Sequence, residues 1–135
     1  MKRIFVDTGA WYALVDAKDP DHSEVAVCLA QYGGRLATRN YVFDETVALL
    51  RYRLGHRTAC TFGEALLAGG IAPALRLTPA DEARAREIFA RYRDKGFSFT
   101  DCTSFALMKR VGIASAVALD EDFKAFGIPC LPQID

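Results

Sequence analysis

The chain has 135 residues, 51% of them hydrophobic, with 17 basic and 17 acidic side chains and a formal net charge of zero. That length suits a single domain over 1–135, and that hydrophobicity excludes a disordered chain. Neutral charge argues against tight non-specific nucleic-acid binding, no apolar run nears the ~20 residues of a membrane span, and Met1-Lys2-Arg3-Ile4-Phe5-Val6-Asp7 lacks a secretory leader's apolar stretch, so a soluble cytoplasmic protein is expected.

Residues 3–6 read as a short buried strand ending at Asp7, followed by the Thr8-Gly9 break and a helix over 10–16. Asp19-Pro20-Asp21 opens a second helix, with Val25, Cys28 and Leu29 on one face, closed by Gly33-Gly34. A weak strand over 36–38 leads to Asn40, a cap for a helix over 41–54 whose stripe is Phe43, Val47, Leu50 and Leu54. A helix over 58–68 ends in the glycine pair Gly69-Gly70, and 74–77 forms a short strand. Thr78-Pro79 places a capping threonine and an N1 proline before a helix to about residue 94. A helix over 101–111 stops at Gly112, then come a strand over 115–119, a short helix over 121–126 and a last strand over 128–131.

Strands alternating with helices, several of them continuously apolar, imply a parallel sheet covered on both faces. In such sheets ligands bind beyond the carboxyl ends of the strands, where Asp7 and Asp120 fall. Cys28, Cys60, Cys102 and Cys130 are spread along the chain without a Cys-x-x-Cys pair, which argues for buried free thiols over zinc or redox chemistry.

The acidic residues carry the chemistry. Asp7 follows the first strand, where it also suits a helix N-cap. Glu45 neighbours Val42 and Leu49 at helical spacing and is expected to point inward, whereas Asp44, rotated by ~100°, is expected to be solvated. Asp101 follows Ser98 and Thr100, either of which already supplies a cap, so a second capping group is redundant. Asp120-Glu121-Asp122 opens the short helix, a position where acids are common. Singly each has an ordinary explanation; gathered at one sheet edge, they would repel and need a compensating cation.

Four segments, Val6-Asp7-Thr8-Gly9-Ala10, Asn40-Tyr41-Val42-Phe43-Asp44-Glu45-Thr46, Ser98-Phe99-Thr100-Asp101-Cys102 and Ala118-Leu119-Asp120-Glu121-Asp122-Phe123, resemble the acidic motifs of PIN-domain proteins, most closely the VapC-type toxins of toxin–antitoxin pairs. The resemblance implies a three-layer α/β/α sandwich with a parallel sheet of about five strands and Mg²⁺- or Mn²⁺-dependent cleavage of RNA. It makes Asp7, Glu45, Asp101 and Asp120 the catalytic metal-binding acids, with Asp122 as a further ligand and Thr8, Asp44 and Ser104 in support. It also implies an antitoxin partner and a homodimer. One departure is Ala118, where many relatives carry Thr or Ser; Thr103 or Ser104 is the candidate replacement for that hydroxyl, whose loss weakens a metal site ~10–100-fold.

Oxygen-only ligands favour Mg²⁺ or Mn²⁺, two of which about 4 Å apart would activate a water and stabilise the leaving oxygen. His22 and His56 lie far from the acidic motifs and are not expected as bases. Arg51, Arg53 and Arg91 are the candidates for RNA binding, against an ordinary solvated helix face. Of Phe97 and Phe99, one is expected to be buried and the other open. A haloacid-dehalogenase phosphatase needs a second Asp where Gly9 stands, and a phosphoacceptor receiver needs paired acids after the first strand; neither fits. The remaining alternative is a non-catalytic PIN-like module binding RNA or protein through a weakened metal site.

Overall fold

The computed structural model describes residues 2–68 and 74–133. Its first strand, β1 (Ile4–Val6), is buried along its whole length, as a strand covered on both faces must be. Helices α1 (Thr8–Val15) and α2 (His22–Tyr32) and a 3₁₀ turn at Gly33–Arg35 lead to β2 (Leu36–Arg39). Helices α3 (Asn40–Leu54) and α4 (His56–Leu67) precede β3 (Ala74–Leu75); α5 (Pro79–Arg91) and α6 (Phe99–Val111) precede β4 (Ala116–Val117); α7 (Asp122–Phe126) precedes β5 (Cys130–Leu131). The expected glycine pair at Gly69-Gly70 lies outside the described residues.

The five strands are all parallel, in the order β3-β2-β1-β4-β5. Right-handed crossovers from β1 through β2 to β3 put their helices on one face, and the return from β3 to β4 puts α5 and α6 on the other. The order therefore reverses between β1 and β4, and the carboxyl ends of those two strands flank a crevice. Asp7 stands just after β1 and Asp120 shortly after β4.

Each face has its own core. Beneath α6 and α7, Phe105 packs against Phe97, Phe123 and Phe126 at centroid distances of 5.2, 5.0 and 4.3 Å, and Phe123 stacks on Phe5 of β1 at 6.1 Å. On the α1–α4 side the indole of Trp11 meets Phe62 edge-on at 5.7 Å, and its Nε1 donates to Thr38 Oγ1 at 3.3 Å. Clamping α6 to α5, the Arg110 Nε donates to both oxygens of the buried Asp81 at 2.8 and 3.0 Å.

Three local expectations need correction. Asn40 does not cap α3; it is the first helical residue, and the extended Arg39 holds the N-cap position without a side-chain bond. The inward stripe of α3 is Val42, Thr46 and Leu50, one step round from the expected one, with Phe43 and Val47 at its margin and Leu54 exposed. Cys28 and Cys102 are buried free thiols, but Cys60 is exposed on α4. Thr78, by contrast, caps α5 as read, in a reciprocal box with Asp81.

Replacing the central ring of the α6–α7 cluster, Phe105→Ala, is expected to cost about 3–5 kcal/mol of unfolding free energy, measured by urea denaturation.

Candidate active site

Between β1 and β4 the crevice opens into a groove of about 550 Å³ lined by Asp7, Thr8, Glu45, Leu49, Asp101, Asp120 and Asp122, with Gly9, Gly96, Ser98 and Thr100 completing the wall. Four chain segments thus deliver acids to one place. Asp7 holds the N-cap position of α1 but makes no side-chain capping bond, so its carboxylate is left for the groove. Asp101 does the opposite and corrects an expectation: it sits at N3 of α6 in a full capping box, its carboxylate accepting from the Ser98 amide at 3.2 Å while its own amide donates to Ser98 Oγ at 3.0 Å. Capping and groove-lining are one geometry there, not alternatives.

Glu45 is exposed rather than half-buried, yet faces the groove; Thr8 Oγ1 donates to its Oε1 at 2.5 Å and joins the starts of α1 and α3. Asp120 accepts from the Asp122 amide at 3.0 Å, which fixes the Asp120 carboxylate at the start of α7. Carboxylate oxygens of Asp101, Asp120 and Asp122 lie within 4.8 Å of one another.

The electrostatics follow from this crowding. Burial pushes the Asp7 carboxyl up to about 7, the charges of Asp120, Asp101 and Glu45 add to the rise, and the Thr8 amide opposes it. Burial also raises Asp101 to about 7, helped by hydrogen bonding with the Asp122 carboxyl and opposed by the Ser98 amide. Asp120, though at the exposed rim, is raised by partial shielding of its carboxyl from water and by the charges of Asp122 and Glu121. Protons or a cation must relieve such a cluster.

The donor set fits a hard divalent cation: carboxylate oxygens, no thiol or imidazole, and three acids already within bridging distance. Asp101, Asp120 and Asp122 are the nearest set, and Asp7 and Glu45 line the same groove.

Other expected residues fall elsewhere. Asp44 points to solvent and is absent from the groove lining. Ser104 is buried and its Oγ accepts from Arg39 Nη1 at 2.9 Å, so it does not replace the hydroxyl missing at Ala118, which itself is buried. Thr103 Oγ1 is likewise taken by Arg39 Nη1 and donates to Thr100 O at 2.6 Å. None of Arg51, Arg53 and Arg91 lines the groove: Arg51 borders a separate crease between α3 and α4, Arg53 lies over the Tyr12 ring and Arg91 over Tyr92. His22 Nδ1 pairs with Ala13 O at 2.7 Å and His56 Nε2 with Cys60 Sγ at 3.4 Å, both away from the acids. Phe97 is buried and Phe99 is 41% exposed. Sequence reasoning missed Arg39, whose signal was a charged residue closing a strand that must be buried.

Comparison with known proteins identifies the family. Residues 4–129 match the model of the PIN domain family. The 23S rRNA-specific endonuclease VapC20 of Mycobacterium tuberculosis is 38% identical over 124 residues, covering 92% of this chain and 94% of its own length. A VapC ribonuclease of Archaeoglobus fulgidus is 36% identical over 104 residues, covering 73% and 65%. The crystal structure of VapC20, a sarcin–ricin loop cleaving toxin of Mycobacterium tuberculosis, superposes with a TM-score of 0.85 at 37% identity over 93% of this chain and 95% of that one.

A carboxyl raised from the usual 3.8 to about 7 favours the folded state fully below pH ~4, and that contribution is lost as pH rises through 7. Cation-free Asp7→Asn is therefore expected to melt higher than the unsubstituted protein at pH 8, with the gap closing at pH 5. Thermal melts in chelator across that range check it.

Proposed function

This chain belongs to the PIN-domain family, among the relatives of the VapC ribonucleases, and from that premise we propose that it is the endoribonuclease toxin of a toxin–antitoxin pair, working as one nuclease domain with Mg²⁺ or Mn²⁺. The observation that carries the proposal is the groove itself: Asp7, Glu45, Asp101 and Asp120, brought together from four chain segments at the sheet's switch point, with Asp122 beside them. A non-catalytic binding module would have no reason to bear this cost. Water-exposed carboxylates elsewhere on the surface would hold a partner without mutual repulsion.

Asp7, Glu45, Asp101, Asp120 and Asp122 are the residues that would hold the cation, the last three with oxygens already within 4.8 Å of one another. A divalent cation bound there supplies Lewis acidity for attack of water on a phosphodiester and charge for the leaving oxygen. The chain's own residues supply orientation. The capping box keeps Asp101 fixed on a rigid helix end, Thr8 orients Glu45, and the Asp122 amide orients Asp120. Asp7, left free of capping bonds at the start of α1, keeps its carboxylate turned to the groove. No side-chain nucleophile is needed.

RNA would enter along the wall formed by Ser98 and Thr100, and a structured ribosomal RNA loop is the first substrate to test, on the likeness to VapC20. The proposed partners are an antitoxin covering the acidic groove and a second copy of the chain. No helix among the described residues is long and apolar enough to cross a membrane, which suits the proposed cytoplasmic location.

The test is cleavage of 23S rRNA and of a panel of structured RNAs, with primer extension to map ends. Cleavage should require Mg²⁺ or Mn²⁺ and stop with chelator, and Asp7→Asn, Asp101→Asn and Asp120→Asn should each lower the rate by more than about 100-fold, beyond what loss of an indirect supporting group costs. Cation binding without cleavage of any of these RNAs would support the binding module instead.

A further inference from the structure

Arg39 ends β2, directly before α3, and its side chain is 0% exposed. Its Nη1 alone is satisfied, donating to Thr100 O at 3.2 Å, Ser104 Oγ at 2.9 Å and Thr103 Oγ1. Buried Nε and Nη2 have no hydrogen-bond partner, and among the described residues no carboxylate forms a salt bridge with it. Its guanidinium lies over the Tyr41 ring at 4.7 Å. Of the carboxylates, those whose fields act on it most strongly are Asp7 and Glu45, then Asp81, which Arg110 already pairs.

Burying an unpaired guanidinium costs several kcal/mol, and apolar side chains of similar volume usually serve packing as well or better. Hydroxyls and a carbonyl on α6 need only a donor, not a charge. The charge itself must therefore be repaid by negative potential, and the groove is the source at hand: β1 and β2 run parallel with Phe5 opposite Ala37, which sets Arg39 level with Asp7 at the carboxyl edge of the sheet, and Asp7 and Glu45 are the carboxylates whose charges act on it most.

Resting on the reading of the groove as a divalent-cation site, we propose that Arg39 is a built-in counter-cation for the Asp7–Glu45 side of that groove. It offsets part of the repulsion when no metal is present, so the chain stays folded, and by the same charge it lowers the affinity for a resident cation. The metal is then held loosely and gains its remaining ligands from substrate phosphate. Burial lowers the Arg39 pKa only to about 10, so the charge persists at neutral pH.

The test uses the full chain without RNA. Protein stripped by chelator is titrated with MnCl₂ by calorimetry and melted with and without Mn²⁺, for the unsubstituted chain, Arg39→Lys, Arg39→Met and Arg39→Met/Asp7→Asn. Arg39→Met is expected to bind Mn²⁺ about tenfold more tightly and to gain more melting temperature from it, because one opposing charge is gone. Arg39→Lys should stay within about threefold of the unsubstituted chain. Equal or weaker Mn²⁺ binding by Arg39→Met overturns the proposal and makes Arg39 a packing and hydrogen-bonding residue only. If Arg39→Met does not fold without metal, the double variant must recover folding by removing one repelling carboxylate; failure to do so also overturns it. Absence of Mn²⁺ binding in the unsubstituted chain defeats the metal reading and this proposal together, whereas absence of RNA cleavage alone defeats only the nuclease reading.

Discussion

Mutual repulsion among carboxylates at the head of one parallel sheet is the constraint from which the rest of the site follows. Five acids line a single groove, and burial with like charge raises Asp7 and Asp101 to about 7. Such a cluster needs protons or a cation to relieve it. The surrounding structure limits the strain. Amides of Thr8, Ser98 and Asp122 point at three of the carboxylates, Thr8 Oγ1 holds Glu45, and the buried Arg39 is tied to Thr100 of the groove wall.

The topology makes this gathering possible with few residues. Because the strand order reverses between β1 and β4, helices on opposite faces begin close together at the crevice. Helix starts are where acids are favoured by the backbone dipole, so the same positions that help α6 and α7 begin also point carboxylates into the groove. Asp101 shows the economy most clearly: one side chain closes the Ser98 box and faces Asp120 and Asp122. Rigid packing of α6, through Arg110 with Asp81 and through Phe105, then fixes where that carboxylate lies.

Most of the architecture was legible because its signals are local. Glycine stops, the Thr78-Pro79 start and the apolar strands set element order, and parallel sheets impose the rest. The acids were legible as a pattern of four motifs, since each falls at an element end. What was hidden depends on distance across the fold. Nothing in the spacing says that Thr8 reaches Glu45, that Ser104 and Thr103 turn to Arg39 and not to the acids, or that Arg51, Arg53 and Arg91 leave the groove wall. The start of α3 was misjudged by one residue because Asn is a favoured cap, yet the chain enters this helix from an extended Arg39 whose position is set by tertiary contacts.

A groove whose described lining holds five acids and no basic side chain repels the phosphate backbone it is proposed to cut. RNA binding and cation binding must then be coupled: each phosphate that enters improves the site for a divalent ion, and each ion improves it for phosphate, by the same factor in both directions. Arg39 fits this logic because it weakens the ion's hold in the empty site without offering its charge to RNA, from which it is fully buried. Specificity is then expected to arise from groups beyond the acids, since carboxylates and a cation read phosphate alone. An antitoxin segment carrying its own positive charge would satisfy the same field without any phosphate, which is why a single groove can serve both for cleavage and for its suppression.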